Sequence, residues 1–170
     1  MVGMRQRTEN RTENHDYVRQ AVEDDIPELV RLREMLFENL GGYFFSPVSG
    51  SGAWLDTLAV VLKEQLTSDA VRVLVVDGAS GLAACAIGTI EQRLPGPHLC
   101  NGRIGQVIGV ITDPGYRRLG YSRSLMRGLL DWFRESDVAR VDLYASAEGE
   151  PLYRELGFTN HPDPSLYWRP

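Results

Sequence analysis

The stretch VITDPGYRRLGYSRSLM, residues 110–126, gathers three residue types that together suit an anion. Arg117 and Arg118 bring positive charge to one place. Gly120 permits a backbone conformation, and a close ligand approach, that a β-carbon would obstruct. Ser122 is small and carries a hydroxyl that can cap a helix or meet a phosphate oxygen. The residues before the turn read as a strand and those after it as an amphipathic helix. The first amides of such a helix have no intrahelical acceptor and lie at the positive end of its dipole, so the turn suits a pyrophosphate. Two other phosphate motifs do not fit: the chain has no Gly-Lys pair of a Walker loop, and G-x-G-x-x-G is absent from the turn. An ordinary strand-to-helix connection with a solvated arginine pair has the same local pattern.

Other reactive residues are scattered. Cys85 and Cys100, with His15, His98 and His161, show no metal-ligand spacing, so no metal is expected. His98 lies in a Pro- and Gly-rich loop, 93–102, and is expected to be exposed. Glu148 and Glu150 flank the start of a short helix, where acids favour the dipole. The loop GYFFSPVSGSG is either a lid or a core plug. Its aromatic residues 43–45, and Trp54, suit an acceptor pocket or a core, and Trp132 suits packing.

The elements that must position these residues follow from hydrophobic spacing. YVRQAV (17–22) reads as a short strand. Asp24 or Asp25 then suits a helix N-cap, with Pro27 in the first turn and Gly41-Gly42 as the stop. Trp54 to Leu66 repeats the helical spacing. VRVLVV (71–76) and LAACAIGTIEQ (82–92) read as a hairpin around DGASG, and RIGQVIGVIT (103–112) as a third strand. Leu119 to Ser136 forms a helix with Leu125, Met126, Leu129, Leu130 and Phe133 on one face. A strand (139–145), a short helix (149–157) and a closing strand, SLYWRP (165–170), complete the chain. The result is one α/β (α+β) domain over residues 17–170, with a central mixed sheet flanked by helices. Residues 1–16 repeat RTEN and hold no apolar stretch, so a flexible lead-in is expected there, not a secretory signal.

The formal net charge of -5 argues against general affinity for nucleic acid or anionic membrane. No apolar run approaches the ~20 residues of a membrane span. A reduced, cytoplasmic setting is the expectation from the two cysteines.

The stretch T-D-P-G-Y-R-R-L-G-Y-S resembles the acetyl-CoA-binding motif of the GNAT-type N-acetyltransferase superfamily, [QR]-x-x-G-x-[GA] with a preceding proline. Pro114, Arg117 and Gly120 match; Ser122 stands where Gly or Ala is usual. A second similarity lies at 143–158, where a strand leads to a helix ending in L-Y-x-x-L-G-F. The resemblance implies a strand that splays from its neighbour, so that the backbone of Val110, Ile111 and Thr112 binds the pantetheine arm. It implies that Arg117 and the amides of Arg118, Leu119, Gly120, Tyr121, Ser122 and Arg123 hold the pyrophosphate. Tyr153 would be the acid that protonates the leaving thiolate, or else a packing residue. The base stays open. The strand offers Gln106 and no carboxylate, while Glu91 and Asp113 are candidates; an amine arriving deprotonated, or a water chain, is the alternative. The implied activity is direct acetyl transfer from acetyl-CoA to a primary amine of a small molecule, without a metal. A protein N-terminus or lysine as acceptor, or a non-catalytic acyl-CoA-binding sensory module, are the alternatives. Relatives commonly form homodimers, and Ser165 to Pro170 could contribute to one.

Overall fold

Small and β-branched residues fill the middle of the chain, and the computed structural model, which describes residues 17–39 and 52–170, turns them into sheet. Strand β2 (Val71–Asp77) and strand β3 (Leu82–Gln92) form the expected hairpin, and β3 pairs onward with β4 (Arg103–Thr112). Leu82 to Gly88 are all buried, because β3 has a helical layer on each face. The short β1 (Val18–Gln20) pairs with β2, and β5 (Arg140–Leu143) lies parallel to β4 at the other edge. The sheet is therefore mixed, in the order β1-β2-β3-β4-β5.

Helix α1 (Ile26–Asn39) and helix α2 (Ala53–Gln65) cover one face. Leu29, Leu32 and Leu62 pack there against Val73, Val75, Cys85, Ile87 and Ile111. Helix α3 (Tyr121–Glu135) covers the other face with Leu125, Met126, Leu129, Trp132 and Phe133. The short α4 (Glu150–Glu155) packs beside it through Tyr153 and Leu156. Phe133 is seated where two strands lack side chains. A Cβ on Gly105 would meet its ring at 2.7 Å, and one on Gly88 at 2.9 Å.

Beyond the shorter ends of β1, β5 and α4, three expectations differ from the structure. Neither Asp24 nor Asp25 caps α1 directly. A 3-10 turn, Glu23–Asp25, precedes the helix, and Asp25 accepts from the Val22 amide at 2.8 Å and pairs with Arg19. Ser165 to Pro170 joins no ladder, and Leu166 and Trp168 are 89% and 83% exposed. Pro162 and Pro164 remove amide donors on the approach to that segment, and the four-residue β5 offers little edge to pair with. Third, α3 starts at Tyr121, two residues later than expected, because Gly120 is its left-handed N-cap. The lead-in 1–16, the Gly41-Gly42 stop and the aromatic loop 43–45 lie outside the described residues.

The seat of Phe133 predicts that Gly105→Ala lowers stability by about 1–3 kcal/mol through overpacking. The thermal midpoint should fall by roughly 2–4 °C for each kcal/mol. Gly96→Ala, with nothing within 4 Å of the new Cβ, is the control and should leave the midpoint in place.

Candidate functional site

Strands β4 and β5 pair only from Ile104↔Arg140 to Val107↔Leu143. Beyond Val107 the two part, while β4 continues to Thr112. Among the described residues, 108–112 have a strand neighbour on the β3 side alone. The register also slips here, from Ile87↔Gly109 to Gly88↔Val107, leaving Ile108 as the extra residue of a bulge. The bulge resets the alternation of side chains. Ile111 faces the α1 and α2 layer, while Val110 packs toward α3 and Thr112 bonds to Ser122.

A cleft of about 1020 Å³ opens at this divergence. Its walls bring together Val110, Ile111, Thr112, Arg117, Arg118, Gly120, Tyr121, Ser122, Arg123 and Tyr153, residues 43 positions apart at the extremes. Leu119 is the exception among the expected residues: its side chain is 57% exposed and points away, so only its backbone belongs to the turn.

The turn between β4 and α3 has an unusual backbone. Arg117 is extended, Arg118 has φ +67°, and Gly120 has φ +79°. Left-handed geometry costs an arginine about 1–2 kcal/mol, and strain of this kind concentrates at functional turns. Gly120 escapes the cost, and a Cβ there would meet nothing within 4 Å. The space over Gly120 is open toward the cleft. The first intrahelical bond of α3 runs from the Ser124 amide to the Gly120 carbonyl. The amides before it belong to the helix's positive end.

Several contacts hold this turn in advance. Asp113 accepts from the Gly115 amide at 3.0 Å and from Arg31 Nη1 at 2.7 Å. Arg31 also donates to Glu28 and to the Leu82 carbonyl, tying the turn to α1 and β3. The Tyr116 hydroxyl accepts from the Ala79 amide at 2.7 Å. The Thr112 and Ser122 hydroxyls bond at 2.9 Å, closing strand end onto helix start. Buried Ser124 bonds the Tyr17 hydroxyl at 2.5 Å, which anchors the helix to the start of β1.

Tyr153 reaches the cleft from α4. Its ring meets Phe158 at 67°, and its hydroxyl has no hydrogen-bond partner among the described residues. Burial pushes its phenol above the ordinary value, so it stays protonated at neutral pH. The two proposed carboxylate bases fare differently from expectation. Asp113 is committed to Arg31, which with the Gly115 amide holds its carboxyl below the usual range. Glu91 pairs with Arg93 and lies opposite Ile104, eight residues of β4 from Thr112, or about 26 Å at strand rise. Gln106 sits in the paired part of β4 between Thr89 and Asp142.

Of the remaining candidates, Glu148 does not cap α4 but faces Arg117 across the cleft at 3.5 Å. Glu150 stands in the first turn of α4 and pairs with Arg154. Trp54 packs edge-on against Phe37 at 5.7 Å, and His98 is exposed. Trp132 is core. Sequence reasoning missed Arg31, Met35 and Leu36. The last two line the cleft from α1. Arg31 and Arg33 interrupt the apolar spacing of that helix, a signal that was present in ELVRLREMLF.

Residues 33–158 match the acetyltransferase (GNAT) family. The chain is 29% identical over 91 residues to histone acetyltransferase TAP1 of Glycine max, covering 49% of this chain and 38% of that one. It is 33% identical over 58 residues to glucosamine 6-phosphate N-acetyltransferase of Trypanosoma brucei brucei, covering 34% and 40%. The matches thus span about two fifths of those relatives' length. The fold is shared with a predicted acetyltransferase with acetyl-CoA from Clostridium acetobutylicum, at a TM-score of 0.75 and 21% identity over 89% of this chain and 94% of that one.

The Arg31 hub predicts a pH dependence. Glu28 and Asp113 are both held below their ordinary values by Arg31 first. Depressed carboxylates contribute stability in full above their unfolded values of about 4 and lose it as pH falls through the folded ones. The thermal midpoint should stay level from pH 7 to about 5 and fall below about 4. Arg31→Gln should lower the midpoint at pH 7 and differ less from the native protein at about pH 2.5. A gap that stays constant over that range would remove Arg31 as the anchor of the turn.

Proposed function

The chain belongs to the acetyltransferase (GNAT) family, and we propose that it moves an acetyl group from acetyl-CoA directly to a primary amine, foremost that of a small molecule. The observation that carries this proposal is the continuity of one surface. The side of β4 at 108–112 that has no strand neighbour among the described residues runs straight into the turn at 117–120 and the N-terminus of α3.

The residues fit acetyl-CoA. The backbone of Val110, Ile111 and Thr112 offers donors and acceptors to an extended polar arm, as a neighbouring strand would. Arg117, Arg118 and the backbone from Arg118 to Arg123 offer positive charge and amides to a pyrophosphate. Open space over Gly120 leaves room for close approach. When bound, acetyl-CoA supplies a thioester whose carbonyl carbon takes the amine lone pair as its sulfur leaves.

Within this proposal the chain's own residues orient and move protons. Tyr153 donates its phenolic proton to the departing sulfur. Its raised pKa keeps that proton in place throughout the neutral range. Asp113 is spent on the turn, and no strand carboxylate replaces it. The acceptor ammonium therefore loses its proton to water in the open cleft before it attacks. A protein acceptor is the second reading, and the similarity to a histone acetyltransferase supports it.

The direct test is thermal unfolding with acetyl-CoA. At about 100 times the dissociation constant, binding to the native state adds ~2.7 kcal/mol, a rise of several degrees for a domain of this size. No rise would end the proposal. Tyr153→Phe should lower kcat by about 10²–10⁴-fold, the usual contribution of a general acid, and keep the acetyl-CoA shift. For an amine of pKa about 10, kcat/KM should climb about tenfold per pH unit from 7 to 9 with no alkaline decline. A plateau near pH 7 would instead reveal a side-chain base.

A further inference from the structure

Among the described residues, Arg33 is a cation with no acid paired to it. It sits on α1, and its Nη1 is shut from solvent with no hydrogen-bond partner. Among the described residues its one named interaction is with the Phe37 ring, whose centroid lies 5.3 Å from Cζ. The neighbouring acids are engaged or turned away. Glu28 and Asp113 belong to Arg31. Glu34 and Glu38 stand at i+1 and i+5, off the Arg33 face of the helix. The titratable group that acts on its charge is Cys85, whose thiol burial pushes up to about 12, so it is neutral and offers no negative charge. The same burial lowers the Arg33 pKa, the mark of a charge held without compensation.

Arg72, another arginine with an unserved nitrogen, differs. Arg72 Nη1 donates to Gln20 at 2.8 Å, and its guanidinium lies over Trp132. Arg33 has no such donor contact, and its place is informative. A Cβ on Gly109 would come within 3.3 Å of its Nη1, so the guanidinium lies directly against β4. Gly109 is the residue before Val110, where the cleft wall begins, and Met35 and Leu36 on α1 line the same cleft. The guanidinium is thus one to three residues, about 3–10 Å of strand, from the segment 110–112. It approaches β4 on the face of Ile111, away from α3 and the pyrophosphate turn.

We infer that the acceptor amine carries a carboxylate or phosphate group that pairs with Arg33. This rests on the transferase proposal above and names the substrate class of the same cleft. A guanidinium presents a planar fork of donors that matches either anion in a two-point contact. A buried charge is ordinarily paired, because an unpaired one forfeits hydration with nothing in return. An anionic acceptor supplies the missing partner and positions its own amine along β4. The short span selects compact molecules, such as an amino acid or a phosphorylated amino sugar, over an extended chain.

The test uses matched acceptors with the full chain: β-alanine against β-alaninamide for the carboxylate, and glucosamine 6-phosphate against glucosamine for the phosphate. Thiol release from acetyl-CoA gives kcat/KM, and unfolding of the CoA-saturated protein gives binding independent of turnover. Saturation with CoA keeps the anions off the pyrophosphate turn. At least one anionic member should exceed its neutral partner by tenfold or more in kcat/KM and should alone raise the midpoint. Which pair responds separates carboxylate from phosphate. Arg33→Met should erase the preference, keep the acetyl-CoA shift and unfold no earlier than the native protein. Arg33→Lys should restore part of the preference. Equal use of anionic and neutral partners, no stabilisation by either anion, or a preference that survives Arg33→Met would each overturn the inference while leaving the transferase proposal standing. A native chain that acetyl-CoA fails to stabilise would bring down both.

Discussion

Strand β4 loses its β5 neighbour at Val107 but stays extended for five more residues. Backbone amides and carbonyls inside a protein must find partners, and a strand with one bare side is costly unless something completes it. The rest of the molecule can be understood as the frame that keeps this bare side both straight and accessible. The bulge at Ile108 turns Ile111 into the α1 and α2 layer, so the exposed segment is anchored by a buried side chain while its outer edge faces the cleft. Without the extra residue, the alternation would put Ile111 on the α3 face and Thr112 on the α1 face. The bond between Thr112 and Ser122 would then be lost.

The cradle at the end of the strand is prepared rather than induced. Arg31, Tyr116, Thr112 and Tyr17 each tie the turn or the first turn of α3 to a different element. That redundancy lets Arg118 persist in a left-handed conformation. Polar contacts do most of this work, and the Tyr116 ring adds packing against the α3-side core. The direction of α3 is set separately, by Phe133 seated over Gly88 and Gly105. Core packing therefore aims the helix, and polar contacts fix the loop that precedes it.

Charge is distributed with the same division. Around the start of α3, cations are partly exposed and paired at the surface, as Arg117 is with Glu148 and Arg123 with Glu155. On the α1 side, Arg31 is spent on the frame and Arg33 is held back against β4. Two arginines two residues apart on one helix thus serve opposite ends: one is consumed by structure, and the other is left for a ligand.

The sequence by itself determined the local elements and the strand-to-helix turn at 113–120. Strands β2, β3 and β4 and the helices fall where hydrophobic spacing puts them, because that spacing reports burial within one element. Pro114, Arg117, Gly120 and the L-Y-x-x-L-G-F run were legible for a similar reason: backbone geometry at a turn restricts residue type over a few positions. Tertiary structure alone decided the rest. That Asp113 serves Arg31 rather than a proton transfer depends on a contact across 82 positions. That β4 and β5 part at Val107, and that Ser165 to Pro170 finds no ladder, depends on how long each strand can pair. That Arg33 lies against Gly109 with no acid paired to it among the described residues depends on where α1 crosses the sheet. Pairing and charge compensation are properties of neighbours in space, and a chain read in order does not say which neighbours those will be.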